Sequence, residues 1–327
     1  MRVLVIGGTR FFGRAFVEEA IRRGHDVTVF HRGVSEPDGL GGVEHVHGDR
    51  HTDLDLLRGR SWDAALDTYA FAPRDVRELA AALADGVGHY TFVSSLSVHP
   101  DDLPIGATEE TPTHEPPSPD TEEVTDETYG PLKVAAEHEA ATAFPGRVLV
   151  IRPGYIVGPH DPTDRFTFWV RRAAGGGEML APGPSDAPIQ GIDARDLGAF
   201  VVDRIEAQDV ATYGVVGPEA PATMCDVLDA ARSAGSADTT FTWVDPDFLM
   251  RLEERERWFP MWHPHLPGFH AYDASRARRA GLRTRLFAET IADTLAWDRD
   301  RGSPPLEVGL APGEERELLA AWRATSG

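Results

Sequence analysis

The sequence predicts an α/β protein built on a doubly wound parallel sheet, with a smaller C-terminal lobe. Three observations carry that expectation. Short β-branched runs alternate with segments whose apolar residues recur at helical spacing, which is the pattern of repeated βαβ units. The first run is closed by a glycine-rich turn, Gly7-Gly8-Thr9-Arg10-Phe11-Phe12-Gly13, that opens directly into a helical pattern. After Pro153 the regular alternation loosens, and Gly175, Gly176, Gly177, Pro182 and Pro184 mark irregular chain.

Taken in order, residues 3–6 read as the first strand and 12–23 as the first helix, with Phe12, Ala15, Phe16 and Ala20 on one face and Gly24 as the stop. Strands two to five are expected at 26–30, 43–47, 64–67 and 90–93, with the clearest intervening helix at 76–83. A sixth, at 147–151, follows the helix that holds Lys133. Parallel strands joined by helices are covered on both faces, so the expected arrangement is Rossmann-type, with ligands at the carboxyl ends of the strands. Between the fifth strand and the Lys133 helix, residues 100–128 are rich in Pro and hold ten acidic residues with no Lys or Arg. They read as a loop over the ligand end of the sheet. The expected division is a dinucleotide-binding domain at 1–155, with the chain returning at about 188–217, and a substrate-binding lobe at 156–187 and 218–327.

The 327 residues carry 32 basic against 53 acidic side chains, a net charge of −21. Phosphate backbones and anionic membranes are bound through Lys and Arg, so this balance argues against nucleic-acid and membrane partners and leaves a small molecule, with a homodimer open as an assembly state. Cys225 is the only cysteine, which excludes an internal disulfide and a CxxC metal site. The first apolar run is too short for a signal-peptide core and there is no 18-residue apolar stretch, so a cytoplasmic protein is expected. Of the 32 basic residues, 31 are Arg and one is Lys133. Either that position needs an amine, or a single lysine has landed there by chance.

The motifs bear on chemistry as follows. In the turn from Gly7 to Gly13, glycines let backbone amides approach a pyrophosphate while the helix N-terminus stabilises its charge; the plain alternative is an ordinary strand-to-helix turn. Arg10 stands where the usual fingerprint has its middle glycine. At the end of the second strand, His31-Arg32 replaces the acidic residue that selects NAD, which favours the 2′-phosphate of NADP, with Arg32 pairing it and Arg10 assisting; NAD stays open as the cofactor. Asp49 is placed either to accept from an adenine amine or simply to close a turn. Tyr129 and Lys133 are four apart and share a helix face, where an ammonium favours the phenolate of a group whose ordinary pKa is near 10. Ser95 is a second hydroxyl at the same sheet edge.

Together these residues resemble the extended short-chain dehydrogenase/reductase family, also called the NAD-dependent epimerase/dehydratase family, over nearly the whole chain. The likeness takes in an atypical GGTRFFG form of the glycine turn, Gly48-Asp49, the Ser95 strand and the YxxxK spacing. It continues through Arg152-Pro153-Gly154-Tyr155-Ile156-Val157-Gly158-Pro159 and Asp273-Ala274-Ser275-Arg276-Ala277, leading to Trp297. The resemblance implies that Tyr129 is the acid/base, that Lys133 holds the nicotinamide ribose and lowers the tyrosine pKa, and that Ser95 orients the substrate oxygen, with Ser94 the alternative if the register is one off. An NAD(P)-dependent oxidoreductase interconverting a secondary alcohol and a ketone is the expected activity. The alternatives are a nucleotide-sugar epimerase with tightly held cofactor and a catalytically silent dinucleotide-binding regulator.

Departures from the family narrow the expectation. Leu96-Ser97 follows Ser95 where sugar dehydratases have Asp-Glu, and Tyr155 stands where many epimerases have Asn. With the acidic segment 101–127, these favour an uncharged, ring-containing carbonyl substrate over a nucleotide sugar. Arg165, Arg171 and Arg172 offer an anion site or merely a solvated helix face. The aromatic run from Trp258 to Phe269 is either a substrate wall or a core plug. His263 and His265 have ligand spacing but no carboxylate cluster nearby, so no metal is expected.

Overall fold

Seven parallel strands carry one unit of the chain, and the computed structural model, which describes residues 1–34, 40–83 and 85–325, shows how the sequence forms them. In chain order come β1 (Arg2–Ile6), α1 (Phe11–Arg22), β2 (Asp26–His31), β3 (Glu44–His47), β4 (Trp62–Asp67), α2 (Pro73–Leu83), β5 (Val87–Val93), α3 (Asp126–Ala143) and β6 (Val148–Pro153). The strand Thr212–Val215 completes the sheet, whose spatial order is Thr212–Val215, β6, β5, β4, β1, β2, β3. Strand order therefore reverses between β1 and β4, the point at which open doubly wound sheets bind ligands. This is the Rossmann-type arrangement expected from the sequence.

Side-chain alternation divides each strand between two covered faces. Leu4, Ile6, Phe30, Ala65, Tyr90 and Phe92 are buried together with Val76 and Leu79 of α2 and Ala136 and Ala140 of α3. Val3, Val5, Val27 and Val29 point the other way and are equally buried. On that side α1 packs against the helix Ala194–Glu206 at Gly198, where a Cβ would lie 3.0 Å from the Ala15 backbone.

This first unit comprises Met1–Gly154, Ala194–Val216 and Tyr272–Arg283. The last of these stretches differs from the expectation that 218–327 lies wholly in the second lobe. Its docking rests on a contact that periodicity does not encode: Tyr272 sits against Gly214, where a Cβ would come within 2.2 Å of its ring, and Asp273 N–H donates to the Ala107 carbonyl at 2.8 Å. The segment expected as a loop is irregular up to Thr125. There a reciprocal capping box between Thr125 and Thr128 starts α3 at Asp126, so residues 126–128 are helical. Part of the segment's acidity is neutralised within the unit: Glu109 accepts from Gly214 N–H at 2.8 Å, Glu110 pairs with Arg276 at 2.8 Å and Glu122 with Arg74 at 2.7 Å.

The second unit, Tyr155–Asp193, Gly217–Ala271 and Thr284–Gly327, is built around the parallel pair Glu178–Pro182 and Thr240–Val244. Phe166, Trp169, Phe259, Met261 and Trp262 fill its core. Trp169 Nε1 donates to the Pro260 carbonyl at 2.7 Å and Trp262 Nε1 to that of Gly183 at 3.2 Å. The first half of the aromatic run thus packs as a core plug, with Phe259, Met261 and Trp262 buried. Among the described residues no helix is long and apolar enough to cross a membrane.

Candidate active site

The β1–α1 turn can exist only with glycine. Gly7 and Gly8 have φ of +94° and +80°, a Cβ on Gly7 would lie 2.4 Å from Thr68 Oγ1 just beyond β4, and one on Gly13 would lie 2.6 Å from Gly8 Cα. Strand, turn and helix are thereby pressed together at the switch point. Arg10 is the N-cap of α1, and its side chain makes no cap hydrogen bond to the first amides of the helix. Thr9 is buried, Phe11 half-buried with φ +45°, and the Phe12 ring lies in the core at 5% exposure. Phe12 can therefore contribute only its backbone.

Arg10 and Arg32 are both exposed, and neither side chain has a hydrogen-bond or ion-pair partner among the described residues. His31 behaves differently from its neighbour. It is buried, its Nδ1 accepts from Gly33 N–H at 3.2 Å, and its Nε2 lies 2.8 Å from His45 Nδ1. Asp49 closes the turn after β3, accepting from His51 N–H through Oδ1 at 2.9 Å. Next to it Arg50, which sequence reasoning passed over, is buried and forks onto the fully buried Asp67 at 3.0 and 3.1 Å; the Tyr90 hydroxyl also donates to Asp67, at 3.1 Å.

At the ends of β5 and α3 the proton-transfer candidates meet. Gly130 follows Tyr129, and a Cβ there would lie 2.0 Å from the Ser97 carbonyl, so α3 rests directly on the turn that begins at Ser95. Its role was missed; the Tyr-Gly pair is the signal that carries it. Pro131 has no N–H to offer the Glu127 carbonyl, which loosens the helix just beside Tyr129. One turn on, Lys133 is 3% exposed, its Nζ donates to the carbonyls of Ala70 at 2.7 Å and Val93 at 2.9 Å, and it stands 5.8 Å from the centroid of the half-buried Tyr129 ring. Burial pulls its pKa down from 10.5 to about 8, against the opposing pull of the Asp67 and Glu137 carboxylates.

The two serines have different partners. Ser94 is buried and donates to Glu137 Oε1 at 2.6 Å, while Arg152 grips the same carboxylate at 2.9 and 2.7 Å. Ser95 is partly exposed and bonds only locally, accepting from Ser97 N–H at 3.0 Å and meeting Ser97 Oγ at 3.1 Å.

In the second unit, Tyr155 stacks nearly parallel on His263 and His270 with centroids 6.1 and 5.4 Å apart, and the Arg165 guanidinium lies 5.5 Å over its ring. Burial lowers His270 to about 4, so it is neutral at physiological pH. Arg171 and Arg172 are taken up by Asp298 and Glu315, which leaves Arg165 alone of the three with no carboxylate at ion-pair distance among the described residues, although its charge acts on Asp161.

No family model and no curated protein matches the sequence. Among solved structures the chain is similar to UDP-glucose 4-epimerase from Bifidobacterium longum in complex with NAD+ and UDP, at 19% identity over 92% of this chain and 99% of that one, with a TM-score of 0.68. It is also similar to UDP-glucuronic acid 4-epimerase from Bacillus cereus in complex with NAD, at 13% identity, 92% and 99% coverage and a TM-score of 0.67. For UDP-glucose 4-epimerase from Thermotoga maritima with UDP-glucose the values are 16%, 92%, 99% and 0.69. At these identities what is shared is the fold.

Proposed function

We propose that the chain is an NADP-preferring oxidoreductase that interconverts a secondary alcohol and a ketone on a small molecule, with Tyr129 moving the proton. The observation that carries this reading is the chain's single lysine, buried one helical turn from Tyr129. Holding an ammonium where its pKa falls from 10.5 to about 8 costs about 3 kcal/mol, which a methionine would not incur. An expense of that kind is expected where the cation acts.

The residues fit a dinucleotide. The glycine turn and the N-terminal amides of α1 would hold its pyrophosphate, Arg32 and Arg10 its 2′-phosphate, and Asp49 its adenine amine. Lys133 has three N–H groups; two are given to Ala70 and Val93, and the third is left for the nicotinamide ribose. When bound, the dinucleotide supplies the hydride acceptor or donor. Tyr129 takes the hydroxyl proton in oxidation and returns it in reduction, Lys133 favours its phenolate, and Ser95 orients the substrate oxygen. Leu96 is buried at 1% exposure, so the position after Ser95 has no carboxylate with which to eliminate water.

Cofactor choice gives one expected result. NADPH binds more tightly than NADH, and Arg32→Ala removes most of a difference on the order of ten- to a hundredfold, the worth of a charge-assisted contact. Equal affinities for the two cofactors in the unmodified protein count against it.

A second expectation is the alkaline limb of the rate. Lys133 carries its charge below its folded pKa of about 8 and loses it above, so turnover in the oxidative direction stops rising, or falls, from about pH 8. Stability runs the other way. Because the folded pKa lies below the ordinary 10.5, the unfolded chain binds more protons between the two values, and stability rises with pH across that window. A rate that climbs without a break to pH 10 contradicts the assignment.

A second reading is supported by the solved structures, which are UDP-sugar 4-epimerases, two of them crystallised with NAD. Transient oxidation by the same three side chains with a retained cofactor would suffice, and the ion pairs of Glu110 and Glu122 weaken the objection that the acidic segment repels a diphosphate. Incubation with UDP-glucose, UDP-galactose and a set of aromatic ketones, following both NADPH absorbance and sugar interconversion, separates the two. NADPH loss with ketones supports the reductase; sugar interconversion without NADPH loss supports the epimerase.

A further inference from the structure

At the outer edge of the seven-stranded sheet three histidines converge. His45 and His47 are two residues apart on β3 and so share a face, and the parallel register sets His31 of β2 directly across from His47, with Val29 across from His45. Coordinating nitrogens of the three rings all lie within 4.8 Å of one another. His31 and His45 are 5.0 Å apart between centroids, and His31 and His47 are 4.9 Å apart. Exposure rises from the buried His31 through the half-buried His45 to the exposed His47, so the cluster is walled by the sheet on one side and open to solvent on the other.

We propose that His31, His45 and His47 form a binding site for a divalent transition metal ion of the zinc class, with three imidazole nitrogens as ligands and water in the fourth position. Neutral imidazoles suit zinc and its neighbours rather than calcium or magnesium, and three protein ligands with one open position is the pattern of accessible rather than closed sites. Two nitrogens bound to a tetrahedral ion at about 2.0–2.1 Å lie about 3.3 Å apart. The His31–His45 contact of 2.8 Å must therefore open by about half an ångström, and His47 must close in. Both are side-chain movements on a four-residue edge strand. The ion takes the place of the proton between His31 and His45; that proton passes to His31 Nδ1, at the cost of the contact from Gly33 N–H. What the site gains is a staple from β3 to β2 next to Arg32, and it stands whether or not the chain binds a dinucleotide.

The test uses the full untagged chain, stripped with a chelator and titrated with cobalt(II). One equivalent is expected to bind with the visible absorption of a tetrahedral cobalt ion, to be displaced by zinc, and to raise the thermal midpoint. His45→Gln and His47→Gln should each weaken cobalt binding by more than the roughly hundredfold that losing an indirect partner of a ligand costs. His265→Gln, in the other vicinal histidine pair, should leave it unchanged. Cobalt bound as tightly by both β3 variants as by the parent, or spread over several weak sites, overturns the proposal. Should either variant unfold without metal, 15N-histidine spectra of the parent decide: zinc-induced shifts confined to three rings uphold the site, and shifts absent or spread over the other histidines refute it.

Discussion

Tyr129→Phe lowers turnover by roughly 100- to 10,000-fold or more, the range lost with a positioned general acid/base, and leaves dinucleotide affinity close to that of the parent. The asymmetry follows from position. Tyr129 is half-buried in the first turn of α3 and, in the proposed mechanism, its phenol serves only the proton, while the turn beneath it is shaped by Gly130 and Pro131, which the substitution leaves alone. Lys133→Met is expected to give a different pattern, with turnover and dinucleotide affinity both falling, because in the proposed mechanism the ammonium supports the phenolate and also has an N–H for the ribose. Stability in that variant changes by no more than about 1–2 kcal/mol. Relief from burying a charge, worth about 3 kcal/mol, is offset by two carbonyls, of Ala70 and Val93, that lose their donor. Steady-state rates with fluorescence titration of NADPH and a denaturation curve separate the two variants. Normal turnover in Tyr129→Phe would remove this residue from the proton path.

How much of this was legible in the sequence depends on how local the determinant is. The β1–turn–α1 unit is written in adjacent residues, since glycines at 7, 8 and 13 and apolar residues at helical spacing specify it without reference to the rest of the chain. The doubly wound class follows from the alternation of strands with helices, and the handedness of such crossovers limits the strand orders without fixing one. Contacts across large sequence separations are another matter. The return of Tyr272–Arg283 rests on a bare Gly214, the anchoring of Ser94 on a carboxylate 43 residues away, and the histidine cluster on the register of β2 against β3. Periodicity reports which face a residue occupies and is silent on what it meets there. The same limit applies to the aromatic run. Composition left wall and plug equally open, and it is the burial of Phe259, Met261 and Trp262, with the Trp262 Nε1 bond to Gly183, that assigns its first half to the core.

The largest loss of stability is expected at Glu137, a residue with no motif around it. Its carboxylate accepts from Arg152 twice and from Ser94 once, and both ionic side chains are 9% exposed. Burial works against the Arg152 charge, and the contact with Glu137 outweighs it, holding the guanidinium protonated. In Glu137→Ala the buried cation remains while its counter-charge and the Ser94 acceptor are gone. Breaking a buried pair from one side costs about 3–5 kcal/mol, which in a unit of this size lowers the thermal midpoint by on the order of 10 °C. Glu137→Gln keeps the shape and one acceptor oxygen, so its loss is smaller. Its second effect reaches the site. Glu137 lies one helical turn beyond Lys133 and its charge helps to hold that ammonium protonated, so removing the charge lowers the Lys133 pKa below about 8. The alkaline limb of the rate then moves to lower pH in Glu137→Gln, while a partner with a purely structural role would leave the limb where it was. Thermal unfolding of both variants and the pH–rate profile of Glu137→Gln measure the two effects separately. If Glu137→Ala unfolds within about 1 kcal/mol of the parent, the buried pair is not what holds β6 to α3; if the limb stays in place, Lys133 is not the group that sets it.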